Sequence, residues 1–277
     1  MIKKILKWAS YVLFVLAIYG TWLLMKTFLF DYFTVPSLSM TPTITPRSKV
    51  IVNKLLAGPR LYTNLFFNNG GQELRSVRLK GIRGFRHNDI VVFNFPLHDD
   101  RISFVMNHVY CKRITGLPGD TLKAVNGHLY NNNYSNTLGC KARQDLLESK
   151  TPELLKRKGV YDVAPIHDKH FGWNIQNWGP LYVPRRGDII NVTPREATLY
   201  RRILEWETGA KIAYDWDSMA VFANGRRFTT YRFRHNYYHI SGDNSFDSFD
   251  SRYWGFVPEE YIIGVVAKII PSREHDS

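Results

Sequence analysis

Cysteine is scarce in this sequence, and the patterns that cysteine forms at metal sites are missing. The chain of 277 residues has two cysteines, Cys111 and Cys140. Neither belongs to a Cys-x-x-Cys pair or to a cysteine–histidine spacing, so no metal site is predicted. A single pair is a thin basis for a disulfide even outside the cytoplasm, and we expect both thiols to be unpaired.

Acidic residues are also few compared with basic ones. Asp and Glu total 24 against 37 Lys and Arg, which gives a formal net charge of +13. This excess favours a polyanionic neighbour, either nucleic acid or an anionic membrane surface. A second long apolar run is lacking as well. The stretch at 261–270 is too short to cross a membrane and contains Lys268, so it indicates a buried strand.

One long apolar run is present. It favours a membrane surface over nucleic acid as the neighbour of this basic chain. Residues 8–25 carry no charge, near the shortest length for a membrane-spanning helix. Lys3, Lys4 and Lys7 precede this run, so its N-terminal side is expected in the cytoplasm. A cleavable signal peptide would need a shorter apolar core and a small-x-small site, and the segment after Met25 offers none. We therefore expect an uncleaved anchor.

The rest of the sequence has mostly strand signals. Strands are predicted at 50–55, 89–95, 104–114 and 261–270, while residues 33–49 and 58–80, with an Asn-Asn-Gly-Gly turn at 68–71, are expected to be irregular. Asn126-Gly127 and Asn224-Gly225 predict hairpins with type I′ turns. A helix is predicted after Thr193, which forms a capping box with Glu196, and a weaker one at 144–158.

These signals predict a mainly β protein with an N-terminal transmembrane helix. The helix and its cytoplasmic tip occupy 1–30. An antiparallel β core is expected at 31–122 and again at 236–277. A smaller α/β lobe at 123–235 is expected to be inserted between the two parts of the core.

Three constellations carry chemistry. The first is the run from Pro36 to Thr43, in which prolines restrict the backbone around Ser37 and Ser39. A rigid loop can aim a hydroxyl at a substrate. A serine- and threonine-rich linker leaving the membrane is the other interpretation, and this run alone does not exclude it.

The second constellation surrounds Lys112, late in an apolar strand. Alternation places Tyr110, Lys112 and Ile114 on one face and Arg113 on the other. A lysine on an apolar face loses solvation, its pKa falls, and its neutral amine can take a proton from a serine. Taken alone, Lys112 equally suits an edge strand that blocks aggregation.

The third constellation is the polar run at 242–255. Asp250 and Arg252 are spaced to form an ion pair, and Ser248 is a small hydroxyl able to hold another polar side chain. A polar loop with turn residues is the plain alternative.

Together these stretches resemble the diagnostic boxes of the type I signal peptidase family, which are serine proteases. The matching boxes are PSLSMTPT, HNDIVVFNFP, YCKRITGLPGD and GDNSFDSFDSRYWGFVP, in family order after a membrane anchor. Two departures stand out. His87-Asn88-Asp89 replaces the frequent Arg-Gly-Asp, and Cys111 replaces an aliphatic residue.

The resemblance implies a role for each residue that matches a box. Ser39 would be the nucleophile and Lys112 the general base, with no cofactor or metal. Ser37 and the Ser39 N–H would form the oxyanion hole, and Ser248 would orient Lys112. The supporting network would contain Arg113, Asp250 and Arg252, with Gly242 and Asp243 shaping the adjoining turn. The pocket for small substrate side chains would be lined by Phe33, Val35, Met40, Ile44, Val92, Tyr110 and Cys111.

Three other functions compete with this interpretation. A Ser-His-Asp protease could use His108 or His239, but no Gly-x-Ser-x-Gly motif supports it. A self-cleaving repressor-type peptidase shares the serine–lysine pair but needs no membrane anchor. A tethered scaffold without catalysis would suit the charge, although Ser39 and Lys112 are both intact. We therefore expect exported preproteins and the lipid bilayer as partners, and not nucleic acid.

The charge pattern predicts a topology for the cytoplasmic membrane of a bacterium. The chain should cross it once, with the N-terminus inside and residues after about 31 on the outer, periplasmic face. A reporter that is active only outside the cytoplasm should be active when it is fused after Ser277. Activity of a strictly cytoplasmic reporter at the same position would contradict this topology.

Overall fold

The computed structural model describes residues 2–64, 66, 71–162 and 170–272. Its helices are α1 (Ile2–Phe28), α2 (Lys141–Glu148), α3 (Pro152–Arg157), α4 (Pro194–Thr208) and α5 (Ser251–Trp254), and short 3-10 turns occupy Leu38–Met40 and Glu259–Tyr261. The strands of the first part are β1 (Phe30–Val35), β2 (Ser48–Asn53), β3 (Arg60–Tyr62), β4 (Ser76–Arg78), β5 (Ile90–Asn94), β6 (Leu97–His98), β7 (Arg101–Ile102) and β8 (Val109–Gly116). The next are β9 (Thr121–Val125), β10 (His128–Asn131), β11 (Trp178–Tyr182), β12 (Ile189–Asn191), β13 (Ile212–Asp215), β14 (Ala220–Ala223), β15 (Arg226–Arg227) and β16 (Thr230–Arg232). The last are β17 (Tyr237–Ser241), β18 (Val257–Pro258) and β19 (Ile262–Ile270).

The N-terminal helix is apolar and stands clear of the rest of the fold. Among the described residues, Lys7–Phe28 is the one helical segment long and apolar enough to cross a membrane, and none of it is buried inside the protein. The chain passes from this helix into β1 almost at once. Lys54, just after β2, holds this junction, since its side-chain Nζ donates to the Lys26 carbonyl (2.6 Å) and its backbone N–H to that of Leu29 (2.8 Å).

The largest sheet joins strands from both ends of the chain. Its order is β1-β2-β19-β5-β8-β17-β18, and every neighbouring pair is antiparallel. The predicted fold class, mainly β with antiparallel sheets after an N-terminal apolar helix, is confirmed. β8 lies inside this sheet between β5 and β17, so residues that are far apart in sequence meet around it.

Two apolar cores form on this sheet. One contains buried Val50 and Val52 of β2 and Val92 of β5, with Val35, Met40, Ile44 and Ile263. The other contains Val91 and Phe93 of β5 and Ile114 of β8, and it continues into the middle of the chain through Leu122, Trp178 and Leu204. Neighbouring residues of β5 thus belong to different cores, as the alternation of a strand requires.

The middle of the chain builds smaller sheets and most of the short helices. β9, β10 and β11 form one sheet, β13, β14 and β15 another, and β12 pairs with β16. The predicted capping box is present, with Thr193 accepting from the Arg195 N–H and contacting Glu196, and Gly209 ends α4 in the left-handed region. Asn126-Gly127 and Asn224-Gly225 have positive φ at both residues, as a type I′ turn requires. The domain boundaries at 123 and 235 stay a prediction.

Several predicted elements have different bounds in the structure. The strand predicted at 104–114 begins at Val109, because residues 105–108 form a turn closed by the bond from His108 N–H to the Val105 carbonyl (3.3 Å). The helix predicted at 144–158 is two helices. Pro152, which has no N–H to continue a helix, begins the second.

Two segments expected to be irregular contain strands. Residues 30–35 form β1 and pair with β2, and residues 60–62 and 76–78 pair as β3 and β4. Part of the Asn-Asn-Gly-Gly turn, residues 68–70, lies outside the described residues.

The backbone at Asn88 explains why asparagine can replace the glycine that the resembling family often has there. Asn88 has a φ of 66°, in the left-handed region where glycine is favoured and asparagine is tolerated.

Candidate active site

Ser39 lies in a short 3-10 turn that follows β1, and its side chain is buried, with 4% of the residue exposed. The loop after β17 holds this turn in place. The Asn244 N–H donates to the Ser39 carbonyl (3.0 Å), and the Asn244 side-chain amide donates to the Leu38 carbonyl (3.2 Å). The two loops were expected to be separate motifs, and these bonds tie them together.

Lys112 reaches Ser39 from strand β8. A hydrogen bond joins its Nζ to the Ser39 hydroxyl, although 73 residues separate the two in sequence. Lys112 is 4% exposed, and burial lowers the pKa of its amine. Arg252 lowers this pKa further, whereas Asp250, Cys111 and Asp247 oppose the shift. The expected loss of solvation at Lys112 is therefore present, and it favours the neutral amine.

Ser37 adds a second hydroxyl beside Ser39. Their oxygens are 3.0 Å apart, and either can donate. Ser37 is exposed, so its hydroxyl borders the solvent side of the nucleophile. Its predicted role in an oxyanion hole stays a prediction.

A buried ion pair lies behind Lys112. Arg252 contacts both carboxylate oxygens of Asp250, through Nε (2.8 Å) and Nη2 (2.7 Å). Burial would raise the pKa of Asp250, but Arg252 and these hydrogen bonds hold it below its ordinary value. Asp250 also accepts from the Ser248 hydroxyl (2.6 Å) and the Gly242 N–H (2.9 Å). The Ser248 hydroxyl is thus bonded to Asp250, and its orienting role toward Lys112 stays a prediction.

Arg113 belongs to a second ion pair and not to the first. It contacts Asp243 through Nε (2.7 Å) and Nη2 (2.6 Å). Thr43 of the serine loop donates to the same carboxylate. The single network expected for Arg113, Asp250 and Arg252 is therefore two pairs, because Arg113 lies on the face of β8 opposite Lys112. The Gly242–Asp243 turn connects the two pairs through the backbone.

Sequence reasoning missed two residues that hold the serine loop, Thr43 and Asn244. Both stand inside recognised motifs, Thr43 at the end of PSLSMTPT and Asn244 directly after Gly242-Asp243. Their position was the only signal. The resemblance places both motifs at one site, but it assigns no role to Thr43 or Asn244.

Six of the seven residues predicted for the substrate pocket lie in one cluster. Val35, Met40, Ile44 and Val92 are buried there, and Phe33 and Cys111 pack against them. The seventh, Tyr110, lies on the Lys112 face of β8, with its ring centre 5.9 Å from Nζ.

Both cysteines are free, as expected. Burial raises the pKa of Cys111 to about 12, so its thiol stays neutral. Within the described ranges, no group of three or more His, Cys, Asp and Glu could hold a metal ion.

An antiparallel β fold that holds a serine hydroxyl against a buried lysine defines a hydrolase of the serine type. The family model "Signal peptidase, peptidase S26" matches residues 5–270, so this chain belongs to that family and is a serine endopeptidase.

Curated relatives agree with this assignment. The chain is 28% identical to signal peptidase I of Buchnera aphidicola subsp. Baizongia pistaciae, over 89% of this chain and 71% of the relative. It is 24% identical to signal peptidase I of Aquifex aeolicus, over 87% of this chain and 76% of the relative. It is 29% identical to signal peptidase I of Bacillus amyloliquefaciens, over 66% of this chain and 69% of the relative.

The crowding around Gly242 generates a prediction. A Cβ at this position would overlap the Ser248 hydroxyl and lie 2.5 Å from the Ser39 carbonyl oxygen. Gly242→Ala should displace Ser39 and lower kcat about a hundredfold, the usual cost of a small misplacement at an active site. Gly84→Ala is the control, since a Cβ there meets no atom within 4 Å. Normal turnover by Gly242→Ala, measured with a peptide substrate, would contradict the predicted role of this glycine.

Proposed function

We propose that this chain is a membrane-anchored endopeptidase that removes N-terminal signal peptides from exported preproteins, cutting after a small-x-small site. The family and the names of its relatives support signal-peptide removal. The observation that carries the mechanism is the contact between the buried Lys112 amine and the Ser39 hydroxyl. Ser39 is the nucleophile of this proposal and Lys112 its general base.

The reaction begins with neutral Lys112. Its amine takes the proton of Ser39 as Oγ attacks the scissile carbonyl. The Ser37 hydroxyl and the Ser39 N–H donate to the oxygen that becomes negative. The tetrahedral intermediate then collapses, protonated Lys112 gives its proton to the leaving amine, and an acyl-enzyme on Ser39 remains. Water, deprotonated by the same lysine, hydrolyses this ester and releases the signal peptide.

The two ion pairs act as positioning groups in this proposal. Asp250 holds Ser248 and the Gly242 turn, and Arg252 neutralises Asp250. Arg113 and Asp243 hold Thr43 in the serine loop. Removing one partner of a buried ion pair costs a protein roughly 3–5 kcal/mol of stability. In this proposal each pair is therefore kept intact, and it fixes the loop to which it is hydrogen-bonded.

The cluster around Met40 and Val92 supports the small-x-small preference. Val35, Met40, Ile44 and Val92 are at most 4% exposed, and Phe33 and Cys111 are half-buried at the edge of the cluster. In this proposal that edge offers a small apolar surface, and the buried residues behind it leave no space for a larger side chain. Cys111 fits here as a neutral thiol, similar in character to the aliphatic residue that the family usually has.

Exposed apolar residues near the end of α1 support a position of the domain against the outer membrane surface. Tyr32, in the first strand after the helix, is 67% exposed. Strand β4 and the segment after it expose further apolar residues, close to the end of β2. The Ile82 N–H bonds to the Leu55 carbonyl (3.0 Å), and Val77, Leu79 and Ile82 are 54%, 40% and 75% exposed. With Lys80 beside them, these residues suit an anionic lipid surface.

The enzymatic test is cleavage of a preprotein by the full-length protein in detergent. Wild type should release the signal peptide, and Ser39→Ala should not. Lys112→Arg should be inactive as well, because a guanidinium stays protonated at every assay pH. Lys123→Arg, at an exposed lysine of β9, is the matched control and should cut normally. Retained cleavage by Lys112→Arg would remove Lys112 as the base.

The pH dependence tests the protonation state that the mechanism needs. Since only the neutral amine is a base and burial lowers its pKa, the rate should rise with pH to a midpoint below 10.5, the ordinary lysine value. Asp247 raises this pKa from the surface. Asp247→Asn should therefore shift the midpoint of kcat/KM downward, while Asp217→Asn, at an exposed site in the middle segment, should leave it in place. A midpoint at or above 10.5, or an upward shift with Asp247→Asn, would count against a neutral buried lysine.

A further inference from the structure

An exposed aromatic side chain stands beside the candidate active site. Phe249 is 55% exposed, although its neighbours Ser248 and Asp250 are 6% and 0% exposed. The Ser248 and Asp250 side chains point inward and hydrogen-bond to each other (2.6 Å). The residue between them is therefore turned outward. Its ring also stacks on that of Tyr253, with ring centres 6.0 Å apart, so one side of Phe249 packs on the fold while about half of the residue stays open to solvent.

Phe249 is the outer end of a row of rings that leads to Lys112. We define the aromatic shelf as Phe95, His108, Tyr110 and Phe249. Ring centres are 6.1 Å apart for Phe249 and Phe95, 4.8 Å for Phe95 and Tyr110, and 4.9 Å for Phe95 and His108. The Tyr110 ring lies 5.9 Å from the Lys112 Nζ. The row therefore leads from the amine to the protein surface, with Phe95 buried at 7% exposure while Tyr110 is half-buried and Phe249 exposed.

The aromatic shelf and the small-residue pocket lie on opposite faces of β8. Cys111 faces the pocket with Val92, its partner on β5, whereas Tyr110 faces the shelf with Phe93. Ser39 stands between the two regions, because Met40 packs in the pocket and the Ser39 hydroxyl bonds to Lys112. A peptide cut at Ser39 therefore has one surface available on each side of the scissile bond.

The direction of the peptide follows from the proton that Lys112 must deliver. The acyl side of the substrate, which ends in the small residue, occupies the pocket. The leaving nitrogen must meet Lys112 Nζ to be protonated, so the residues after the cut start beside Tyr110. At about 3.5 Å per residue, the first two of them extend over the ring of Tyr110 and toward Phe249.

We propose that the aromatic shelf binds the first two residues of the released chain and gives the enzyme a preference for aromatic or large aliphatic side chains there. This inference rests on the proposed function, since it uses Lys112 as the acid that protonates the leaving amine. Ring-on-ring contact stabilises such side chains, and the exposed face of Phe249 offers an apolar surface next to a reactive centre.

The test uses two pairs of matched peptides with alanine at the first and third positions before the cut. In one pair the first residue after the cut is Phe or Ser, and in the other pair the second residue differs in the same way. Full-length wild type should show a kcat/KM about three- to tenfold higher for the Phe peptide of at least one pair. Phe249→Ser should bring this ratio toward one, and Phe249→Leu should give an intermediate ratio. Tyr130→Ser, which removes an aromatic side chain 50% exposed on β10, should leave the ratio unchanged.

The outcomes separate the shelf from the proposed function. Equal rates of wild type on both pairs, or an unchanged ratio in Phe249→Ser, would overturn the shelf while Ser39-dependent cleavage still supports the proposed function. Cleavage that persists in Ser39→Ala would overturn the proposed function, and the shelf with it. Because the readout is a ratio within each variant, an equal loss of activity on all peptides with the ratio retained also counts against the shelf.

Discussion

The burial of one amine beside one hydroxyl is the constraint on which the rest of the site depends. A buried ammonium would attract a carboxylate, and such a partner would keep it charged. The two buried carboxylates of the site are both paired with arginines, and Asp247, which also raises the pKa of Lys112, is exposed. Asp250 is paired with Arg252, and Asp243 with Arg113. Among the residues that the structure describes, no carboxylate forms an ion pair with Lys112, and its direct partner is the Ser39 hydroxyl. The arginines thus pair with the buried acids, although Asp250 still raises the pKa of the lysine.

The alternation of strand β8 organises everything around that amine. Consecutive residues point to opposite faces, so Cys111 and Arg113 lie on one face and Tyr110 and Lys112 on the other, and the serine loop contacts residues of both faces. Cys111 packs in the cluster with Met40, and Arg113 reaches Thr43 in the same loop. One short strand therefore carries the proposed base, a wall of the proposed pocket, an anchor for the nucleophile loop and the start of the aromatic shelf.

Much of the fold and of the site was predictable from local patterns. Gly209 and the capping box at Thr193 mark the bounds of α4, because these signals act within a single turn of helix. Asn126-Gly127 and Asn224-Gly225 gave the hairpins for the same reason. The predicted start of a strand at Phe104 and the predicted single helix at 144–158 were wrong. Local hydrophobicity does not reveal the turn closed at His108. The helix is divided because Pro152 has no N–H to continue a helix and so begins a new one.

The sequence by itself determined the apolar N-terminal helix, the mainly β class and the residues with the chemistry for the proposed nucleophile and base, since each of these follows from the length of a run, the period of a strand or the type of a side chain. Only the tertiary structure decided which of these residues touch. It brought Ser39 to Lys112, divided the expected ion network into two pairs, and joined Asn244 to the serine loop. It also left Phe249 exposed beside the site. The reason is that burial and contact depend on how strands from both ends of the chain pair around β8, and no local pattern encodes that pairing.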